Sequence, residues 1–190
     1  MKKHILILLV LCSNLAFSQM NIDTTFMKFA KGYIGNGNYT RAIATFNLAI
    51  NYKPYMPEPY FSRGVAKNEL GDYRGAIRDY NTAIEIKPFY PDAFMNRGLA
   101  YLQLNDYEKA ITDYNYAVEL DPNNANIYNN RGIAKGSMKD VDGAIADYDK
   151  ALKINPKFTN AYINRSNARL VKNDSQGAHK EANQAIIIRP

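Results

Sequence analysis

The amino-acid sequence predicts an all-α solenoid of five stacked helix pairs, and three observations predict it. Self-similarity recurs at a shift of 34 residues with no insertion or deletion. Within each period, small and aromatic residues recur at helical spacing. Each period closes on a proline, at Pro54, Pro88, Pro122, Pro156 and Pro190. The units so defined are 23–56, 57–90, 91–124, 125–158 and 159–190.

Ahead of the first unit, Lys2 and Lys3 precede an apolar run from Ile5 to Leu11 and a stretch ending Ala16-Phe17-Ser18. A positive start, a short apolar core and small residues at alternate positions have the order of a secretory signal peptide. The run falls well short of the roughly 20 residues that a spanning helix needs. Residues 1–19 are therefore expected to be cleaved, giving an exported chain, periplasmic or secreted, with no direct membrane insertion. Lipidation at Cys12 is the minor alternative, although bulky Leu11 stands where a small residue is expected. Cys12 is the single cysteine, so the mature chain would hold no disulfide and depend on packing. Losing Lys2 and Lys3 lowers the formal charge from +6 to +4. The remaining basic residues form no block, and together with export this argues against a nucleic-acid partner.

Residues 91–124 illustrate each element of a unit. Phe94, Gly98 and Tyr101 follow helical spacing and give a first helix with one packed stripe. Asn105-Asp106 punctuates the chain, with Asp106 suited to cap the second helix. That helix carries Ala110, Ile111, Tyr114, Ala117 and Val118, and Asp121-Pro122 closes it, because proline disfavours helix in the residue before it. The small residues at Gly98 and Ala110 let the two helices approach closely. Each pair has more apolar face than it can bury alone, so neighbouring pairs must stack.

The columns identify a family. Ala42, Ala76, Ala110, Ala144 and Ala178 are in register, as are Phe26, Tyr60, Phe94, Tyr128 and Tyr162. Gly64, Gly98 and Gly132 share a column with Ala30 and Ser166, and Phe46, Tyr80, Tyr114 and Tyr148 share one with Ala182. With the Gly71-Asp72-Tyr73 turn and the closing proline, this pattern resembles the tetratricopeptide repeat over residues 23–190, with Tyr or Phe in place of the usual Trp. The resemblance implies a right-handed α-solenoid of helix-turn-helix repeats. It also implies a protein or peptide partner, bound in a concave groove lined by the first helices.

Where that family usually has Leu, this chain has Phe29, Arg63, Arg97, Arg131 and Arg165. A second column reads Thr45, Asp79, Asp113, Asp147 and Glu181, so an acid is present wherever Arg is. Such covariation points to bidentate ion pairs within each helix pair, in preference to a basic ladder that recruits anions.

The preceding column reads Lys28, Ser62, Asn96, Asn130 and Asn164. Asn is a mediocre helix former, so three in register need a reason. The resemblance implies that they point into the groove, where an amide can pair with a peptide backbone without reading side chains. The other reading is that they bond to one another or to neighbouring helices. Beside them lie one column with Met27, Phe61, Met95 and Ile163 and another with Val65, Leu99 and Ile133. Where these remain exposed, they would suit apolar side chains of an extended segment. The carboxylate clamp of chaperone-binding relatives is not expected: of Met27, Lys31, Ser62, Asp92 and Asn96, only Lys31 and Asn96 are compatible, and Asp92 would repel a carboxylate.

No catalytic constellation, metal-ligand cluster or cofactor motif is seen, and Gly35-Asn36-Gly37 and Gly71-Asp72 read as turns and not as phosphate cradles. The expected function is thus a non-enzymatic scaffold. Two alternatives are a component of a cell-envelope assembly and an accessory subunit of an envelope enzyme. The last unit departs from the rest, with Ser166, Ser175 and Ala182, and ends without a solvating helix after Ile186, Ile187 and Ile188. Apolar surface there could support a homo-oligomer or an end-on partner; a frayed tail is the plainer reading.

Overall fold

A computed structural model describes residues 25–188. The proposed signal peptide, Cys12 and the closing Pro190 lie outside the described residues. Ten helices occur among the described residues. The first, α1, is described over 25–35. It is followed by α2 (Tyr39–Tyr52), α3 (Pro57–Glu69), α4 (Tyr73–Ile86), α5 (Pro91–Gln103) and α6 (Tyr107–Leu120). The remainder are α7 (Ala125–Ser137), α8 (Val141–Ile154), α9 (Thr159–Val171) and α10 (Ser175–Ile188). Each repeat contributes an odd-numbered first helix and an even-numbered second helix.

Short polar signals start and stop these helices. Asn38, Asp72, Asp106, Asp140 and Asp174 share one column, and each accepts a backbone N–H three residues on with its side chain. This satisfies a donor that the first turn of a helix would otherwise leave unpaired. The residue before each cap is left-handed: Gly37 (φ 69°), Gly71 (φ 78°), Asn105 (φ 59°), Lys139 (φ 68°) and Asn173 (φ 61°). Gly and Asn adopt that conformation readily. Lys139 is the exception.

The chain divides into two compact units, 1–86 and 87–190. In the described part of the first, Ala30, Ala42, Phe46 and Ala66 form a buried cluster, with Met27 packed against it. Full burial of a side chain such as Phe46 contributes about 1.5–3 kcal/mol. In the second, α5·α6, α7·α8 and α9·α10 are hairpins, and α6 packs on α7 and α8 on α9. One core there is built from Ala125, Tyr128, Ala151, Leu152 and Ala161.

A size match runs through both units. A Cβ placed on Gly64 would lie 2.6 Å from the Tyr80 ring, on Gly98 2.8 Å from the Tyr114 ring, and on Gly132 2.6 Å from the Tyr148 ring. Glycine is required because the ring occupies the space of the missing side chain. Burial pushes the Tyr148 phenol up to about 12, and Tyr80 and Tyr114 higher still.

Candidate functional site

The arginine column is fully engaged in structure. In α3, Arg63 donates from Nε and Nη2 to the two carboxylate oxygens of Asp79, at 2.8 and 2.6 Å. Arg97 holds Asp113 in the same fork at 2.8 and 2.7 Å, and Arg131 holds Asp147 at 2.9 and 2.6 Å. Arg165 reaches Glu181 through Nη2. The acids are buried; Asp113 is 3% exposed. Burial pushes the Asp113 carboxyl above its ordinary value, and Arg97 acts against that rise. Such geometry leaves no free ladder for anions.

Two further contacts of this column escaped the sequence reading. Each guanidinium lies over the aromatic ring three residues earlier: Arg63 over Tyr60, Arg97 over Phe94, Arg131 over Tyr128 and Arg165 over Tyr162, at 5.4–5.6 Å. Nη1 of Arg63 donates to Asn47 of the preceding repeat, that of Arg131 to Asn115, and that of Arg165 to Asp149. The column therefore links successive repeats as well as the two helices of one repeat. The register of Asn47, Asn81, Asn115 and Asp149 was the available signal, but exposed Asn on a helix attracts no suspicion.

The asparagine column is half committed. Asn164 donates from Nδ2 to Oδ1 of Asn129 at 2.9 Å, and Asn129 donates to Oδ1 of Asn130 at 3.3 Å. Asn96 donates to the Asp92 carbonyl oxygen of its own helix at 2.8 Å. One polar end of each ladder residue has no partner among the described residues: Oδ1 of Asn96 and Asn164, and Nδ2 of Asn130. Asn129, 5% exposed, ties α7 to α9. Its signal was that it is the polar member of the Met27, Phe61, Met95 and Ile163 column.

On this first-helix side of the second unit, a cavity of about 670 Å³ opens between α7, the start of α8, and α9. Ile133, Gly136, Val141, Asn164, Ala168 and Val171 line it. Two members of the expected groove, Ile133 and Asn164, thus meet. Leu99 and Met95 are half-buried on α5, and Val65 on α3.

Three of the apolar residues expected beside the asparagine column lie outside the cavity beside Asn164. Met27 packs against the buried cluster of the first unit, and the Phe61 ring sits 5.9 Å from Tyr80. Ile163 lines a separate cavity with Ser166, Ala182 and Ile186. Neighbours on an α-helix point about 100° apart, so a residue next to the asparagine column does not share its direction.

Among the described residues, no group of three His, Cys, Asp or Glu could hold a metal ion, and no helix is long and apolar enough to cross a membrane.

Comparisons with known proteins place this architecture. A family model described as TPR repeat matches residues 64–105 and 98–139, and one described as Tetratricopeptide repeat matches 125–158. No curated protein matches the chain. Among similar solved structures, MamA from Desulfovibrio magneticus is 18% identical with a TM-score of 0.80, over 88% of this chain and 94% of that one. PilF of Pseudomonas aeruginosa is 16% identical with a TM-score of 0.82, over 91% and 79%. YrrB, described as a TPR protein with an unusual peptide-binding site, is 20% identical with a TM-score of 0.70, over 87% and 85%. The matched residues, the 34-residue register and the helix pairs that follow it make this chain a member of the tetratricopeptide repeat family.

Proposed function

We propose that the protein is an exported, non-enzymatic scaffold that binds an extended protein segment along the first helices of its second unit. The fold is that of a protein-interaction repeat. The observation that carries the finer reading is the cavity beside Asn164, on the side where the asparagine column keeps one polar end of each amide unpaired. An extended segment presents unpaired backbone N–H and C=O groups, which those ends can satisfy. Full commitment of the arginine column disfavours recruitment of an anionic surface. The description of YrrB supports a peptide ligand by analogy of fold.

The test is affinity capture from cell-envelope extract with the wild type beside an Asn96→Ala/Asn130→Ala/Asn164→Ala variant shown by circular dichroism to be folded. Loss of a captured protein from the variant supports the groove; equal capture sinks it. Export is checked separately, by fractionation and N-terminal sequencing of the protein made in its own cells, which should begin after residue 18 or 19.

A second reading, docking through the face of α10, is favoured by one observation. Asn183 is exposed in the column whose members Asn47 and Asn115 accept from the arginine of the next repeat. Ile186, in the column of buried Ile50 and Leu152, is 71% exposed. A partner using this face, or a homo-oligomer formed through it, would survive the asparagine variant and be lost on Ile186→Lys.

A further inference from the structure

We propose that the cavity between α7 and α9 anchors one aromatic side chain of the bound segment, and that Lys139 at its edge pairs with an acidic residue beside that aromatic. This rests on the groove reading and names the chemistry that the groove selects.

The first argument is why the cavity exists. Gly136 shares its column with Ile34, Asn68, Leu102 and Leu170, and Val141 shares its column with Tyr39, Tyr73, Tyr107 and Ser175. Only in the fourth repeat are both columns reduced together. A Cβ added to Gly136 would meet nothing nearer than the Ala144 Cβ at 3.7 Å, an ordinary contact, so the space is open. Relative to the third repeat, with Leu102 and Tyr107, the fourth lacks a leucine side chain and a tyrosine ring. The walls of Ile133, Val141, Ala168 and Val171 suit flat and aliphatic apolar groups. Its volume of about 670 Å³ admits a whole aromatic side chain with the adjoining backbone. Asn167 lines the cavity where Ile133, Leu99 and Val65 stand in other repeats, so its amide, like that of Asn164, can meet backbone groups of the guest.

The second argument is independent of the first and concerns charge. Lys139 also lines the cavity and sits at φ 68°, in a column otherwise filled by Gly37, Gly71, Asn105 and Asn173. A long side chain on a left-handed backbone is disfavoured, and such outliers persist where another demand outweighs the cost. Lys139 makes no ion pair among the described residues. Its acidic neighbours are taken: Asp140 caps α8 through Gly143 N–H, and Asp142 pairs with Lys172. The cation is thus uncompensated beside an apolar pocket, which selects an aromatic residue with Asp or Glu next to it.

The test is selection from a random linear peptide display library on the folded wild-type protein, followed by affinity measurement on variants. Wild type should enrich peptides with an aromatic residue adjacent to Asp or Glu. The filled variant Gly136→Leu/Val141→Tyr, which copies the preceding repeat, should weaken these peptides about tenfold or more. Lys139→Asn should weaken them several-fold, by an amount that shrinks as salt is raised. The filled variant should also melt no lower than wild type. A marked drop would mean that those columns do not shape the cavity, and would overturn the proposal. Peptides that bind the filled variant equally well but are lost from the asparagine variant would overturn the anchor while leaving the groove intact. If no peptide is enriched, both fall.

Discussion

The third and fifth repeats solve the same packing problem with different residues. In the third, Gly98 on α5 faces the Tyr114 ring on α6, whose burial is complete. In the fifth, the glycine has become Ser166 and the ring has become Ala182, and the serine hydroxyl donates to the Ala178 carbonyl oxygen at 2.9 Å. The first repeat takes an intermediate course with Ala30 and Phe46, both buried. Compensation holds between the first and third repeats, where Ala meets Phe and Gly meets Tyr, and fails in the fifth, where a hydroxyl stands in for a whole ring and Ser166 and Ala182 line a cavity. The lesson extends to charge, since Phe29 replaces Arg in the one repeat where Thr45 replaces the acid.

The sharpest way to break this comparison is to remove one member of a charged pair. Arg97→Leu should destabilise the protein by about 3–5 kcal/mol in urea unfolding, because it strands Asp113 without compensation. Arg131→Leu should cost less. Lys135 Nζ stands 2.8 Å from Asp147 and can hold it, as Lys67 does Asp79, whereas Tyr101 occupies that column in the third repeat. Equal losses for the two variants would show that the second cation contributes nothing. Arg97→Leu/Asp113→Leu together should recover most of the loss, since an apolar pair leaves no buried charge.

Next in size is the ring contact. Gly98→Ala puts a methyl within 2.8 Å of the Tyr114 ring and should cost about 1–3 kcal/mol by overpacking. Ser166→Gly in the fifth repeat removes no ring contact, only one hydrogen bond, and should cost about 1 kcal/mol. The same comparison has a pH arm. A phenol whose folded pKa is raised keeps its proton while the unfolded chain, with the ordinary value of 10.0, releases its own. The stability contributed is present in full below pH 10 and is lost as pH rises through 12, near which Tyr148 ionises in the fold. Thermal melts should therefore fall between those values. Tyr114→Phe, which removes a buried hydroxyl without a partner, should be close to neutral at pH 7 and melt higher than wild type at pH 11.

Most of the fold was legible because the repeat displays one geometry several times over. The covariation of Arg63, Arg97, Arg131 and Arg165 with Asp79, Asp113, Asp147 and Glu181 pointed to contacts that the structure places at hydrogen-bond distance. The Asn47 and Asn115 contacts were present in the same register, but they cross from one repeat to the next, and a period counted within a repeat does not reveal them. The cavity was beyond reach for a different reason. Gly136 in a helix and Val141 after a turn each read as an ordinary substitution. Only in three dimensions do two small residues five positions apart become a single space. Ile163, exposed, lines a different cavity from Ile133 and Asn164, because a column carries no direction until the neighbouring helix is placed.

The smallest predicted effect separates the fourth turn from the other four. Lys139 holds a left-handed backbone that Gly37, Gly71, Asn105 and Asn173 adopt at lower cost. Lys139→Asn should therefore stabilise the protein by about 0.5–1 kcal/mol, seen as a small rise in the unfolding midpoint with an unchanged slope on denaturant. The cap of α8 is untouched, since Asp140 donates nothing to and accepts nothing from the Lys139 side chain. Should the substitution also weaken an acidic peptide, stability and binding would move in opposite directions at one residue, which is what a cation retained for its charge requires. A variant no more stable than wild type would mean that the lysine sits there without strain, and the turn would carry no information about the ligand.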